Sequence, residues 1–319
     1  MVSLRTWKSK TSILALGAAM VFIQACSSGG SQRGGLAIIP QPLSVSPAGQ
    51  AGTRWQAVNN SGLPSAIYIA DAIRSIVDVF GSDGKLSAVI SDGVSSPWGL
   101  FVDENQNLWV TNSDYVSMYP KGATKPSRTL SDPNQSPEDI SVAKDGTVYV
   151  SNFFTGTVSV YAPGSNTPTR MLRDPKSQYT VGVASDESGD VFVTVNDYTG
   201  VGRLDEFVGG KQSGFKRLAP RFSFASDIKF DNAGNLLVLD ETQFSVTEFT
   251  KTGHRTGLRF FTYHQWDAFD LSRDGKYIAG TVALPDQDRG VLKLFPSRQP
   301  VLYLTNNFNG GIGGIAIAP

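Results

Sequence analysis

The sequence predicts an all-β protein: a six-bladed β-propeller of four-stranded antiparallel blades, closed by the C-terminal strand completing the first blade. Three observations carry that expectation. A unit of apolar strand, polar turn and apolar strand recurs along the chain; a third strand ending in an aromatic residue follows each unit; and the first repeat lacks the strand that the last residues supply.

The units begin PWGLFVDENQNLWVTN at Pro97, PEDISVAKDGTVYVSN at Pro137, TVGVASDESGDVFVTV at Thr180, FASDIKFDNAGNLLVLD at Phe224 and WDAFDLSRDGKYIAGT at Trp266. Their turns, DENQN, AKDGT, DESGD, DNAGN and SRDGK, are Asn, Asp and Gly clusters of the kind that reverse a hairpin, because these residues tolerate positive φ. The closing aromatics are read as Phe80, Tyr119, Tyr161, Phe207, Phe249 and Phe295, a spacing of one four-stranded blade. Fourth, outer strands are visible at Lys85, Pro126, Pro168, Phe215, Leu258 and Val301. The first repeat, SAIYIAD through LSAVI, has no opening strand, and the chain ends on GIGGIAIAP from Gly311, an opening strand with no hairpin partner after it. Pairing the two closes a ring of six without leaving an open edge.

Ahead of the repeats, Arg5, Lys8 and Lys10 precede the apolar run Ile13 to Ile23, which is too short for a membrane span and fits a signal-peptide core. The run ends at Ile23-Gln24-Ala25-Cys26, which resembles a lipoprotein signal-peptidase site; an ordinary secreted protein with a free thiol is the other reading. Residues 1–25 are therefore expected to be a lipoprotein signal peptide, with Cys26 the lipidated N-terminus and 26–61 a flexible Gly/Ser/Pro-rich tether spanning about 30 Å. Residues 62–319 are expected to form the propeller. Ser27 after the cysteine favours, by resemblance to Gram-negative sorting signals, the outer membrane. The expected location is thus the cell envelope, with membrane contact through the lipid anchor only.

Losing the three basic residues of the leader leaves 25 basic against 28 acidic residues, a formal charge of −3, which argues against nucleic acid as a partner. The single cysteine of the chain is Cys26, so disulfides and thiolate metal sites are excluded from the fold. A monomer is expected.

Apolar-Gly-apolar strands, D-x-x-G-N turns, strands ending in V-x-N or V-A-D, and V-x-V-Y third strands together resemble the NHL-repeat propellers. They are also similar to the wider superfamily of senescence marker protein and gluconolactonase enzymes and, more distantly, virginiamycin B lyase. The resemblance spans about residues 65–319. It implies architecture, since this fold hosts hydrolases, lyases, and protein and RNA binders. In the gluconolactonase-like enzymes it would also imply a calcium ion at the rim, held by a glutamate and by P-N-G and P-D-G motifs. Here the corresponding motifs are PWG and PED, and only Glu138 and Asp267 fall in the ligand columns.

Within a blade, the start of the first strand and the end of the second share a face. On it the rim carries Trp98-Gly99, Glu138-Asp139, Val181-Gly182, Ser226-Asp227, Asp267-Ala268 and Gly313-Gly314 at equivalent positions. Second-strand ends add Asp71, Asn112, Asn152, Asp240 and, displaced by one, Asn196, with Tyr115, Phe153, Phe154, Tyr198 and Phe244 in the loops beyond. This mixture suits a sugar, a peptide or a metal ion, and the expected partner is a glycan or an envelope protein. Each group has a plainer role beside it: strand-end Asp and Asn cap loops, aromatics pack between blades, and carboxylates sit in a water-filled mouth. The expected activity is a non-enzymatic envelope binding module with Trp98, Glu138, Asp139, Asp227, Asp267, Asn112, Asn152, Asp240, Tyr115, Phe153 and Phe154 at its ligand face. The alternative is a calcium-dependent lactonase-type hydrolase using Glu138 and Asp267. The chain's two histidines, His254 and His264, lie outside the rim columns; His264 is a base in one reading and a surface residue in the other.

Overall fold

A computed structural model describes residues 62–284, 288–308 and 310–319; the expected leader, Cys26 and tether lie outside the described residues. The described chain forms six four-stranded antiparallel sheets in sequence order, the six blades of a propeller. Among the described residues no helix is long and apolar enough to cross a membrane.

Blade one is closed by the first and last described strands. Its sheet runs from the C-terminal strand Ile312–Ala318 through Ala66–Asp71 and Ile76–Gly81 to Leu86–Ile90. Ile67 pairs with Ile317 and Ile69 with Ile315, and all four side chains are buried. Blades two to six each begin with their own innermost strand: Leu100–Val102, Pro137–Val142, Ser177–Ser185, Ala225–Phe230 and Trp266–Leu271.

The hairpin turns form for local reasons. Asp103 Oδ1 accepts the N–H groups of Asn105 and Asn107, Asp186 Oδ1 those of Ser188 and Asp190, and Asp231 Oδ1 those of Ala233 and Asn235. Each aspartate thereby satisfies backbone donors that the reversal leaves unpaired. Beyond the turns, apolar residues on facing blades interdigitate, so the core is a set of clusters between neighbouring blades.

One repeat element differs from expectation. Pairing along five blades puts Phe80, Tyr119, Tyr161, Phe207 and Phe249 opposite Ile67, Leu108, Val148, Val191 and Leu236. In blade six the matching residue is Lys293, opposite Ile278, and Phe295 lies just past the strand end. The compensation is Trp266, almost wholly buried, whose indole covers Gly280 so closely that a Cβ there would meet it at 2.6 Å. Lys293 Nζ lies 5.2 Å from the Trp266 ring centroid, a cation–π contact. The tryptophan takes over the volume an aromatic on the third strand fills in the other blades.

The feature that fixes the functional face is a β-bulge repeated in every innermost strand. At Pro137 to Ile140, for example, the register gains one residue against Asn152 to Val150, and equivalent shifts occur between Thr180 and Val183, Ala225 and Ile228, and Trp266 and Phe269. The rim dipeptides predicted from the repeats are these bulges. Thr111 Oγ1 accepts the Gly99 N–H at 2.7 Å and donates to the Glu138 carbonyl of the next blade at 3.0 Å. Ser151 and Thr194 do the same, from Asp139 and Gly182 N–H to the Val181 and Ser226 carbonyls. Thr281 accepts from Ala268 and donates to Gly313, reaching the C-terminal strand, and Gly314 N–H donates to the Trp98 carbonyl at 2.6 Å. Between blades five and six, where Leu239 replaces the hydroxyl residue, Asp227 Oδ2 accepts the Phe269 N–H at 2.8 Å. Hydrogen bonds therefore run from blade to blade around the whole axis.

Thr194→Val keeps the shape but strands a buried N–H and a buried carbonyl, so it lowers the free energy of unfolding by about 2 kcal/mol, whereas Thr194→Ser loses much less. Urea denaturation of the two variants checks this, and equal stability of all three proteins would contradict it.

Candidate functional site

The bulges bring the predicted acidic columns onto one face and divide them into two environments. Asp139 and Asp227 point to the axis. Asp139 Oδ2 accepts the Val183 N–H of blade four at 3.0 Å, and Asp227 Oδ1 accepts its own neighbour's, Ile228, at 2.7 Å. Between them lies Lys229, a residue the sequence reading missed: its Nζ is 2.6 Å from Asp227 Oδ1 and 3.4 Å from Asp139 Oδ2. Asp139 belongs to blade three and Lys229 to blade five, so this ion pair spans the axial passage past blade four. Asp270, also missed, accepts the Ile317 N–H of the C-terminal strand at 2.8 Å and adds its field to Lys229.

Burial sets the electrostatics of this cluster. Loss of hydration pushes Asp139 up to about 7, against the attraction of Lys229 and with the repulsion of Asp227. It pushes Asp270 up to about 6. Lys229 loses hydration too, yet Asp139, Asp227 and Asp270 more than offset that and raise its pKa.

The second environment is the rim over blades three, five and six. Glu241, one residue past the Asp240 column, is partly buried; its Oε1 accepts the Gln265 Nε2–H at 2.5 Å, and Gln265 Nε2 lies 3.4 Å from Asp267 Oδ1. Burial, reinforced by the Glu138 and Asp240 charges, pushes Glu241 up to about 7. Asp267 is raised well above the carboxylate range by burial and by Glu241 and Asp288. Among the described residues no lysine or arginine forms an ion pair with Glu241 or Asp267.

The strand-end residues serve their loops. Asn112 Oδ1 accepts the Ser95 N–H; Asp240 accepts those of Ser223, Phe224 and Gln243; Asp71 accepts the N–H and Nε–H of Arg74. Asn196 bonds both backbone groups of Ala225, and Asn152 Nδ2 donates to Thr157 and Ser159. Trp98 is 8% exposed, at the bulge of blade two.

Aromatic residues crowd the same face. Phe153 stacks on Tyr179 with centroids 4.6 Å apart and meets Phe154 edge-on at 5.0 Å, while Tyr115 is partly buried. Phe154, Tyr198, Phe244, Phe261 and Tyr263 are all exposed, on loops or strand ends of blades three, four and five. Phe244 and Tyr263 hold φ of 49° and 65°, a left-handed backbone that is unfavourable for bulky side chains. His264, next to Tyr263, is exposed, and His254 is exposed in a loop between third and fourth strands, on the opposite face. Among the described residues no group of three or more His, Cys, Asp or Glu side chains is placed to hold a metal ion.

Raised carboxylate pKa values mean that the folded state holds these protons more tightly than the unfolded chain. The stability that Asp139, Asp270 and Glu241 contribute is complete below about pH 4 and fades as the pH rises to about 7, so the melting temperature is higher at about pH 5 than at about pH 8. Asp197, held below the ordinary range despite burial by Thr199, Arg203 and backbone N–H groups, adds an opposite loss only below about pH 4. Lys229→Met leaves three axial carboxylates without their cation and costs about 3–5 kcal/mol. Thermal melts across pH check both; a melting temperature that rises from pH 5 to 8 would refute the first.

No protein-family model and no curated protein sequence matches the chain. Solved structures do match. The chain is similar to a protein of unknown function from Bacteroides caccae, with 10% identity and a TM-score of 0.62 over 80% of this chain and 99% of that one. It is also similar to a chain from a nidogen/laminin complex, with 15% identity and a TM-score of 0.63 over 80% of this chain and 98% of that one. At these identities the likeness is one of fold: the chain is a six-bladed β-propeller.

Proposed function

We propose that the chain is a non-enzymatic binding module of the cell envelope, anchored through acylated Cys26 and engaging a glycan or an envelope protein with the bulge face of its propeller. The observation that carries this reading is the distribution of exposed aromatics: Phe154, Tyr198, Phe244, Phe261 and Tyr263 stand out from one face, on three successive blades. Rigid aromatic side chains left in water are costly to keep and effective in recognition. The repeat pattern's resemblance to NHL propellers, and the occurrence of a similar fold in a nidogen/laminin complex, fit a binding role.

The hydrolase reading has less behind it. It needs a metal centre, and among the described residues no group of three or more His, Cys, Asp or Glu side chains is placed to hold one; both histidines are exposed, with no Ser-His-Asp spacing beside them in the sequence. The axial carboxylates Asp139 and Asp227 are occupied by Lys229 and by backbone N–H groups, which makes them part of the scaffold under the face.

Two experiments test the proposal. Fractionation of cells producing the full chain places it with envelope membranes, and Cys26→Ser releases it to the soluble fraction; an unchanged distribution refutes the anchor. Binding of the full chain to immobilised envelope glycans and envelope proteins falls about tenfold or more in Phe154→Ala/Tyr198→Ala/Tyr263→Ala. Binding indifferent to these changes, or calcium-dependent hydrolysis of a lactone by the unaltered protein, would overturn the reading.

A further inference from the structure

The binding face has a strongly asymmetric part where blades five and six meet. The loop after Asp240 and the segment leading into Trp266 are bonded into one unit: Thr262 N–H donates to the Phe244 carbonyl at 2.7 Å, and Gln265 Nε2–H to Glu241. That unit displays Phe244, Phe261 and Tyr263, exposed by 42%, 54% and 86%, and two of the three hold a left-handed backbone. Such strain persists only where surrounding bonds over-determine it. Here those bonds keep two aromatic rings in water beside a pair of carboxylates.

The carboxylates are Glu241 and Asp267, joined through Gln265. The charges acting on them are negative: Glu138 and Asp240 on the first, Glu241 and Asp288 on the second. The axis, a few residues away, shows how this chain neutralises a comparable group, with Lys229 set between Asp227 and Asp139. At the rim no described lysine or arginine forms an ion pair with either acid; Arg259 already lies over the Phe261 ring, 5.0 Å from its centroid, so Phe261 adds apolar surface while Phe244 and Tyr263 offer the π faces that attract cations. A docked cation would pair with the carboxylates, relieve their mutual repulsion and lie against the rings.

Resting on the binding-module reading above, we propose that the aromatic surface of Phe244, Phe261 and Tyr263 docks a protein partner through a lysine or arginine side chain seated against Glu241 and Asp267. Charge complementarity selects this occupant over a neutral glycan: a sugar would stack on the rings and leave the carboxylate repulsion in place. A partner loop supplies both the cation and the backbone that covers the rings.

The test titrates the full chain, near neutral pH and at physiological salt, with blocked Gly-Arg-Gly-Phe-Lys-Gly and with its Gln-for-Arg and Gln-for-Lys analogue. The cationic peptide binds and the neutral one binds at least about tenfold more weakly. Glu241→Gln/Asp267→Asn, close in shape to the native pair, lowers affinity for the cationic peptide about tenfold. Tyr263→Ala, at a side chain too exposed to threaten the fold, lowers it about threefold or more. Asp83→Asn, which removes an exposed charge on the opposite face, leaves it unchanged. Equal binding of the two peptides, no binding of either, or equal loss in Asp83→Asn overturns the proposal. Free arginine amide or calcium competing as well as the peptide would also overturn it, since the occupant would then be a small cation. If peptides fail but an envelope glycan binds and is lost in Tyr263→Ala, the binding face survives and the cationic partner does not; if neither binds, both readings fall.

Discussion

The structure depends on a closed circuit of hydrogen bonds between the bulges of its innermost strands. A propeller blade has a free inner edge, and six of them converge where backbone groups cannot all reach water. The bulges turn carbonyls toward the next blade, and Thr111, Ser151, Thr194 and Thr281 each receive a bond from their own bulge and pass one to the neighbour. Where the hydroxyl is missing, a carboxylate or a glycine N–H substitutes. The circuit passes through Gly313 and Gly314, so the strand that ends the chain is also the strand that closes the ring.

That circuit explains why acids appear on the rim at all. A bulge leaves N–H groups pointing toward the adjacent strand, and a short carboxylate placed there can accept them, as Asp139, Asp227 and Asp270 do. Three carboxylates around one narrow axis repel each other, and Lys229 offsets part of that repulsion. The axis thereby carries the scaffold's own charges, while Glu241, Gln265, Asp267 and the exposed aromatics stand on the same face over blades three to six.

Architecture was legible because it repeats. Turn clusters, strand pairs and the orphan strand at Gly311 each recur or complement one another at blade spacing, so several weak signals fixed one topology. The Phe295 assignment failed because the last blade exchanges an aromatic on its third strand for Trp266 over Gly280, a trade visible only in three dimensions. At the site, the columns containing Asp139, Asp227 and Asp267 could be aligned from the repeats, but alignment does not say which acids a neighbouring blade's backbone engages. Lys229 and Asp270 carried a signal that went unused: each is a charge flanked on both sides by apolar residues of an innermost strand, in Ile228-Lys229-Phe230 and Phe269-Asp270-Leu271. Glu241 carried none, since it follows the Asp240 column by one residue and meets Gln265 only through folding.

Native-state hydrogen exchange measures the central claim, that the inner strands form one cooperative ring holding the face in place. The amides of Val183, Phe269, Gly314 and Ile317, each bonded across a blade boundary, should exchange slowly and within about tenfold of one another, through the same global opening. Fast exchange at Gly314 and Ile317 while Val183 and Phe269 stay protected would mean that the ends of the chain do not seal the ring, and the account would fail.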